Sequence, residues 1–137
     1  MKVAFATQDL ERVDAHFGWA KNIAFYEVTV DSYTFIESIS FGGDLQEDGD
    51  EDKLGPKVAA LKGCSILYVA AIGGSGATRV VSQNIHPLKV PQPEKIGDLL
   101  DNLQVAMRSS PRPPWLRKVL SKTGERTFDF EEETENA

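Results

Sequence analysis

With 137 residues, 41% of them hydrophobic and 26% charged, the chain has the make-up of one soluble globular domain with tails. No apolar run approaches the roughly 20 residues of a spanning helix, and Met1–Thr7 gives way to Gln8-Asp9 without the long apolar centre of a secretory signal, so no membrane partner and a cytoplasmic location are expected. The single cysteine, Cys64, excludes an internal disulfide and a self-contained Cys-rich zinc site. The net charge of −6 is unevenly spread, because the stretches 44–52 and 125–137 hold twelve of the 21 acids and one of the 15 bases. The remaining body is mildly basic, able to receive an anionic ligand while the acidic appendages repel polyanions such as nucleic acid.

Lys2 to Thr7 reads as a buried strand with Val3 and Phe5 on one face and Ala4 and Ala6 on the other. Gln8 to Gly18 is expected as a long surface connection. It carries Val13-Asp14-Ala15-His16-Phe17-Gly18, where one of two histidines lies just past a strand end. From such a loop an imidazole can reach a metal or a proton, and a histidine that merely bonds its own turn is the other reading. Asn22 to Val30 and Tyr33 to Phe41, rich in β-branched and aromatic residues and split by Asp31-Ser32, predict an antiparallel hairpin. In its second strand, Tyr33, Phe35, Glu37, Ile39 and Phe41 are expected on one face and Ile36, Ser38 and Ser40 on the other, with Glu37 marking a sheet edge.

Gly42 to Asp52, glycine with a dense acidic run, is expected to be a mobile loop. Lys53 to Lys62 shows Leu54, Val58 and Leu61 at helical spacing, Pro56 in the first turn and Gly63 as the cap. Cys64 then reads as a small apolar residue at a helix-to-strand junction. Ser65 to Ala71 is a continuous apolar run expected in the middle of the sheet. Ile72-Gly73-Gly74-Ser75-Gly76 leads into a helix over Ala77 to Asn84, and strand, glycine turn and helix in this order offer backbone N–H groups to an anion. The ending of a P-loop and the dinucleotide fingerprint are both missing, and a tight connection needing small residues is the competing reading.

His86 to Val90 reads as a returning strand with His86 in a structural place at its start. Pro93 to Met107 carries Ile96, Leu99, Leu100, Leu103 and Met107 as the core stripe of an amphipathic helix. The expected division is a domain over 1–108, a Pro-rich and basic amphipathic segment over 109–121, and an acidic disordered tail over 122–137. The Trp115 to Leu120 segment docks either on the body or on a partner.

In order and spacing, Lys2-Val3-Ala4-Phe5-Ala6-Thr7, His16-Phe17-Gly18 with Phe25-Tyr26-Glu27-Val28, Cys64-Ser65-Ile66-Leu67-Tyr68-Val69, Ile72-Gly73-Gly74 and Pro113-Pro114-Trp115-Leu116-Arg117 resemble a known family. It is the dinitrogenase iron-molybdenum cofactor biosynthesis family, most closely its NifX-like members. The resemblance runs from Met1 to about Leu120 and implies a ribonuclease-H-like α/β fold, a mixed five-stranded sheet flanked by helices.

It also implies a non-catalytic carrier that transiently binds iron-sulfur precursors of the iron-molybdenum cofactor, or that cofactor itself. Such a carrier works between nitrogenase cofactor assembly proteins, as a monomer or a cluster-dependent homodimer. By the same resemblance His16 is the leading cluster ligand, in its loop with Phe17 and Gly18, and Cys64 a weaker one. Gly73 and Gly74 would add backbone donors, and Lys21 and Arg79, the charges nearest in sequence to the two loops, electrostatic support. One imidazole, with or without a thiolate, leaves a cluster exchangeable where four thiolates would keep it. A nuclease is disfavoured, since Lys2–Thr7 and Ser65–Ala71 carry no carboxylate for two-metal chemistry. A protein-binding regulatory module without metal, using the acidic segments and Trp115, is the alternative.

Overall fold

The computed structural model describes residues 1–41 and 54–122. The expected acidic loop over Gly42–Asp52 and residues 123–137 of the tail expected over 122–137 lie outside the described residues, whereas Lys122 still belongs to the last helix. The chain runs β1 (Lys2–Thr7), β2 (Arg12–Val13), a single 3-10 turn (Phe17–Trp19), β3 (Asn22–Val28), β4 (Tyr33–Ser40), α1 (Leu54–Ala60), β5 (Ile66–Val69), α2 (Gly74–Ser82), β6 (His86–Lys89), β7 (Glu94–Lys95), α3 (Ile96–Arg108) and α4 (Pro114–Lys122). Five strands form one mixed sheet in the order β4-β3-β1-β5-β6. β1 pairs antiparallel with β3 and parallel with β5, and β6 continues the parallel side. β1, not the Ser65–Ala71 run, therefore occupies the middle, although β5 is also interior and wholly buried.

The alternation in β1 divides the core as its sequence predicts. Val3 and Phe5 face a layer built with α3 and α4, where Leu99, Leu100, Leu103 and Met107 pack with Leu116, Val119 and Leu120. Ala4 and Ala6 face the layer of α1 and α2, where the larger Phe17, Ile23, Phe25, Leu61 and Val80 gather. The predicted α3 stripe is buried in full. Phe5 stacks on Tyr68 with ring centroids 5.0 Å apart, which fixes the β1–β5 pair on the first of these faces.

Three further expectations are corrected. The face reading of β4 fails because the register shifts at Phe25/Tyr26: Tyr26 lies opposite Phe35 and Phe25 opposite Glu37, which leaves Ile36 over as a bulge residue. Tyr33 and Phe35 consequently meet Tyr26, whereas Ile39 and Phe41 pack on the other layer. The edge position suggested by Glu37 is observed. The Gln8–Gly18 connection is no surface loop, because Val13, Ala15 and Phe17 are buried and β2 pairs with β7. Finally, α2 starts at Gly74 rather than Ala77, since the glycines form its first turn.

α1 stops at Ala60, short of the expected Lys62, and a turn then leads to Gly63, whose φ of 88° is the left-handed conformation expected of it. α4 docks on the body. Its Trp115 lies flat on His86, ring centroids 5.2 Å apart, beside a cavity of about 380 Å³ between β6, α2 and α4. Among the described residues no helix is long and apolar enough to cross a membrane. Because Leu116 is fully buried, Leu116→Ala should lower the urea unfolding free energy by about 2–5 kcal/mol. A loss below about 0.5 kcal/mol would mean that α4 is not part of the cooperative core.

Candidate functional site at the end of strand β5

The segment after β1 is bound along its whole length. Asp9 accepts backbone N–H groups of Glu11 at 2.8 Å and Arg12 at 2.9 Å, and these bonds, that from Arg12 foremost, hold its carboxyl below the usual range. Leu10, at φ 66°, turns the chain with its N–H on Thr7 Oγ1. Gln8 ties the two ends of the loop together: its backbone N–H donates to Asp14, its side-chain oxygen accepts from Lys21 N–H at 2.8 Å, and its amide donates to Trp19 O.

The far part of this loop is stitched to the chain leaving β5. Ala70 N–H donates to Ala15 O at 2.9 Å and Phe17 N–H to Ala71 O at 2.8 Å, and His16 forms a parallel bridge with Ala71. The Phe17 ring is fully buried and packs beneath the start of α2, where a Cβ on Gly76 would lie 3.4 Å from it and 3.2 Å from Ile72. The His16-Phe17-Gly18 loop and the Ile72-Gly73-Gly74 turn, distant in sequence, are thus neighbours at one end of the sheet.

His16 is half-buried and caps the 3-10 turn, its Nδ1 accepting the Gly18 N–H at 3.0 Å. This leaves Nε2 as the nitrogen for an outside partner. Gly73 and Gly74 are exposed and a Cβ at either would meet nothing within 4 Å, so neither glycine is demanded by the protein's own packing. Gly73 caps α2 without a side chain, and Ala77 N–H to Gly73 O is the bond that opens the helix ladder, so the preceding amides have no partner within it. Lys21 is exposed at the exit of the loop, and Arg79 shares a face of α2 with Ser75.

Two residues that sequence reasoning missed complete the arrangement. Trp19, half exposed, lies in the turn that His16 caps, its backbone N–H donating to His16 O at 2.9 Å. Lys57 is 1% exposed, yet its ammonium reaches from α1 to donate to Phe17 O at 3.2 Å and Gly18 O at 2.9 Å, with the Phe41 ring centroid 5.6 Å away. A buried cation at this cost needs such partners. The sequence signal was its spacing, three residues after Leu54 and four before Leu61, which places it on the apolar side of α1.

Cys64 is not brought to His16. It lies at the start of β5, whose Ile66 is about 16 Å of extended chain from Ala71. Its burial pushes the thiol up to about 11, only partly opposed by Lys2. The second histidine is equally remote, at the opposite end of α2 from Gly74. Among the described residues no three His, Cys, Asp or Glu side chains gather to hold a metal ion.

With this geometry in hand, the match to known proteins is informative. The dinitrogenase iron-molybdenum cofactor family matches residues 1–106. The chain belongs to this family. Protein NifX of Herbaspirillum seropedicae is 62% identical over 97% of this chain and 90% of its own length. Protein NifX of Sinorhizobium fredii is 46% identical over 90% of this chain and 80% of its own. The crystal structure of PH0822 shares the fold at a TM-score of 0.60 and 18% identity, covering 77% of this chain and 91% of that one. The family region thus includes both the His16 loop and the glycine turn.

The Cys64 environment gives a test. Above pH 9 the unfolded thiol, with its ordinary value of 9.0, releases its proton while the folded one keeps it until about 11. Stability conferred by the neutral folded thiol is therefore full below that window and declines across it, by up to about 2–3 kcal/mol. Urea unfolding from neutral pH to pH 11 should show a decline that Cys64→Ala makes shallower; equal slopes would mean that the thiol is solvated.

Proposed function

We propose that the chain is a carrier that takes up an iron-sulfur precursor of the nitrogenase iron-molybdenum cofactor, or that cofactor, and hands it on without catalysing its assembly. The observation that carries this reading is the meeting of the His16 loop with the Gly73-Gly74 turn at the end of β5, in a member of the family named for that cofactor. One imidazole, the backbone donors of a glycine turn and nearby cations suit a large anionic guest that must leave again. In this reading His16 contacts iron through Nε2, Gly73 and Gly74 let the cluster approach the backbone, and Lys21 and Arg79 add long-range attraction. Phe17 holds the loop from beneath and Gly18 keeps the imidazole uncrowded, as a Cβ there would lie 3.4 Å from Nδ1.

The antiparallel hairpin beside β1, followed by parallel strands on its other side, supports the ribonuclease-H-like assignment. A nuclease reading finds no support, for β1 and β5 carry no carboxylate. Other cofactor assembly proteins are the partners this function calls for, and the cytoplasm its compartment. A dimer sharing one cluster between two His16 loops is compatible with the exposed turn.

Anaerobic reconstitution of the apoprotein with ferrous iron and sulfide tests the proposal. Wild type should gain iron and visible absorbance and quench Trp19 emission, and His16→Ala should lose most of all three. Equal iron in both proteins would remove His16 from the site, and iron in neither would favour a protein-binding module without metal. Gly74→Ala separates binding from folding: Tm should hold or rise slightly, because alanine suits a helix better than glycine by up to about 1 kcal/mol, while cluster uptake falls. Undiminished uptake would exclude close approach at this turn.

A further inference from the structure

The Lys57 ammonium donates to Phe17 O, the same peptide unit donates through Gly18 N–H, and that N–H ends on His16 Nδ1 at 3.0 Å. One buried charge is thereby joined to the imidazole through a single peptide group. A cation on the oxygen of an amide polarises its N–H, so the bond to Nδ1 is strengthened. An Nδ1 that accepts carries no proton, so in the neutral ring the proton is on Nε2. This reverses the usual arrangement at metal-bound histidines, where the nitrogen away from the metal donates to an acceptor and makes the ligand more basic.

We propose that Lys57 is a positioning residue that, through the Phe17–Gly18 peptide, keeps the His16 proton on Nε2 and so makes this histidine a deliberately weak, exchangeable ligand. The inference rests on the carrier reading above. When iron takes Nε2, the proton leaves that nitrogen and one is placed on Nδ1, the Gly18 N–H loses its acceptor, and the Nε2 lone pair makes the bond to iron. On release the Nε2–Fe bond breaks, Nδ1 gives up its proton, Nε2 regains one and the Gly18 bond re-forms. No electron is transferred and the imidazole ends with the proton count it began with. The re-formed internal bond favours the departure of the guest, and this is the property a carrier needs.

The test reads the tautomer in the full-length apoprotein labelled with ¹⁵N, in mildly alkaline solution. His16 should show a bare Nδ1 and a protonated Nε2. In Lys57→Met, folded by circular dichroism, the share of the other tautomer should rise about fivefold as the charge-assisted bond is lost, while His86 is unchanged. After reconstitution with ferrous iron and sulfide, the same variant should surrender iron to a ferrous chelator about fivefold more slowly. A wild-type His16 protonated on Nδ1, a folded Lys57→Met with an unaltered tautomer ratio, or iron release no slower than wild type would each overturn the proposal. Should Lys57→Met not fold, wild type still decides: its Lys57 ammonium must be protected from solvent exchange, and rapid exchange would overturn the assignment. The tautomer is read without cargo, so wild type failing to hold iron with the expected tautomer in place would count against the carrier reading alone.

Discussion

A loop that leaves the central strand and is then stitched to the end of its parallel neighbour is the constraint on which this molecule depends. The bonds between Ala15 and Ala70 and between Phe17 and Ala71 convert a connection into a fixed element at the sheet's end. Lys57 closes the same loop from the side of α1, with both its carbonyl acceptors on the turn that His16 caps. Because unpaired buried backbone groups are costly, these bonds leave the segment little freedom. The imidazole is accordingly offered on a rigid base.

That rigidity agrees with the poverty of the donor set. A permanent metal centre surrounds its ion with protein ligands, whereas among the described residues no three such side chains gather, and the loop of a single histidine lies next to a glycine turn whose bare Cα atoms face open space. The only thiol is buried at the other end of β5. In the proposed carrier role, an arrangement of this kind would recognise a guest mainly by charge, shape and backbone approach, and would give it few bonds to break on departure. The role proposed for Lys57 follows the same logic, since it would strengthen a bond that competes with the guest rather than one that supports it.

Much of the scaffold was legible in the sequence because its signals are local. The β1 alternation, the hairpin around Asp31-Ser32, the α3 stripe and the Gly63 cap each depend on a few neighbouring residues and on one period or one φ angle. The β4 bulge was not legible. Nothing in Tyr33–Ser40 alone says that Ile36 is left over, because that depends on how Phe25 and Tyr26 are paired across the ladder. The burial of Gln8–Gly18 escaped for a similar reason: its polar residues satisfy one another in tight turns, and β2 finds its partner β7 some eighty residues later.

By itself the sequence determined the family and the sheet with its flanking helices, and it singled out His16 and the glycine turn as candidates, since these are carried by residue types at short spacing. Only the tertiary structure decided that the two loops meet, because a parallel β1–β5 pair places their ends side by side while leaving Cys64 at the other end. It alone revealed Lys57, whose identity as a surface-type residue at one position of a short helix says nothing of the carbonyls across the core that draw its charge inside.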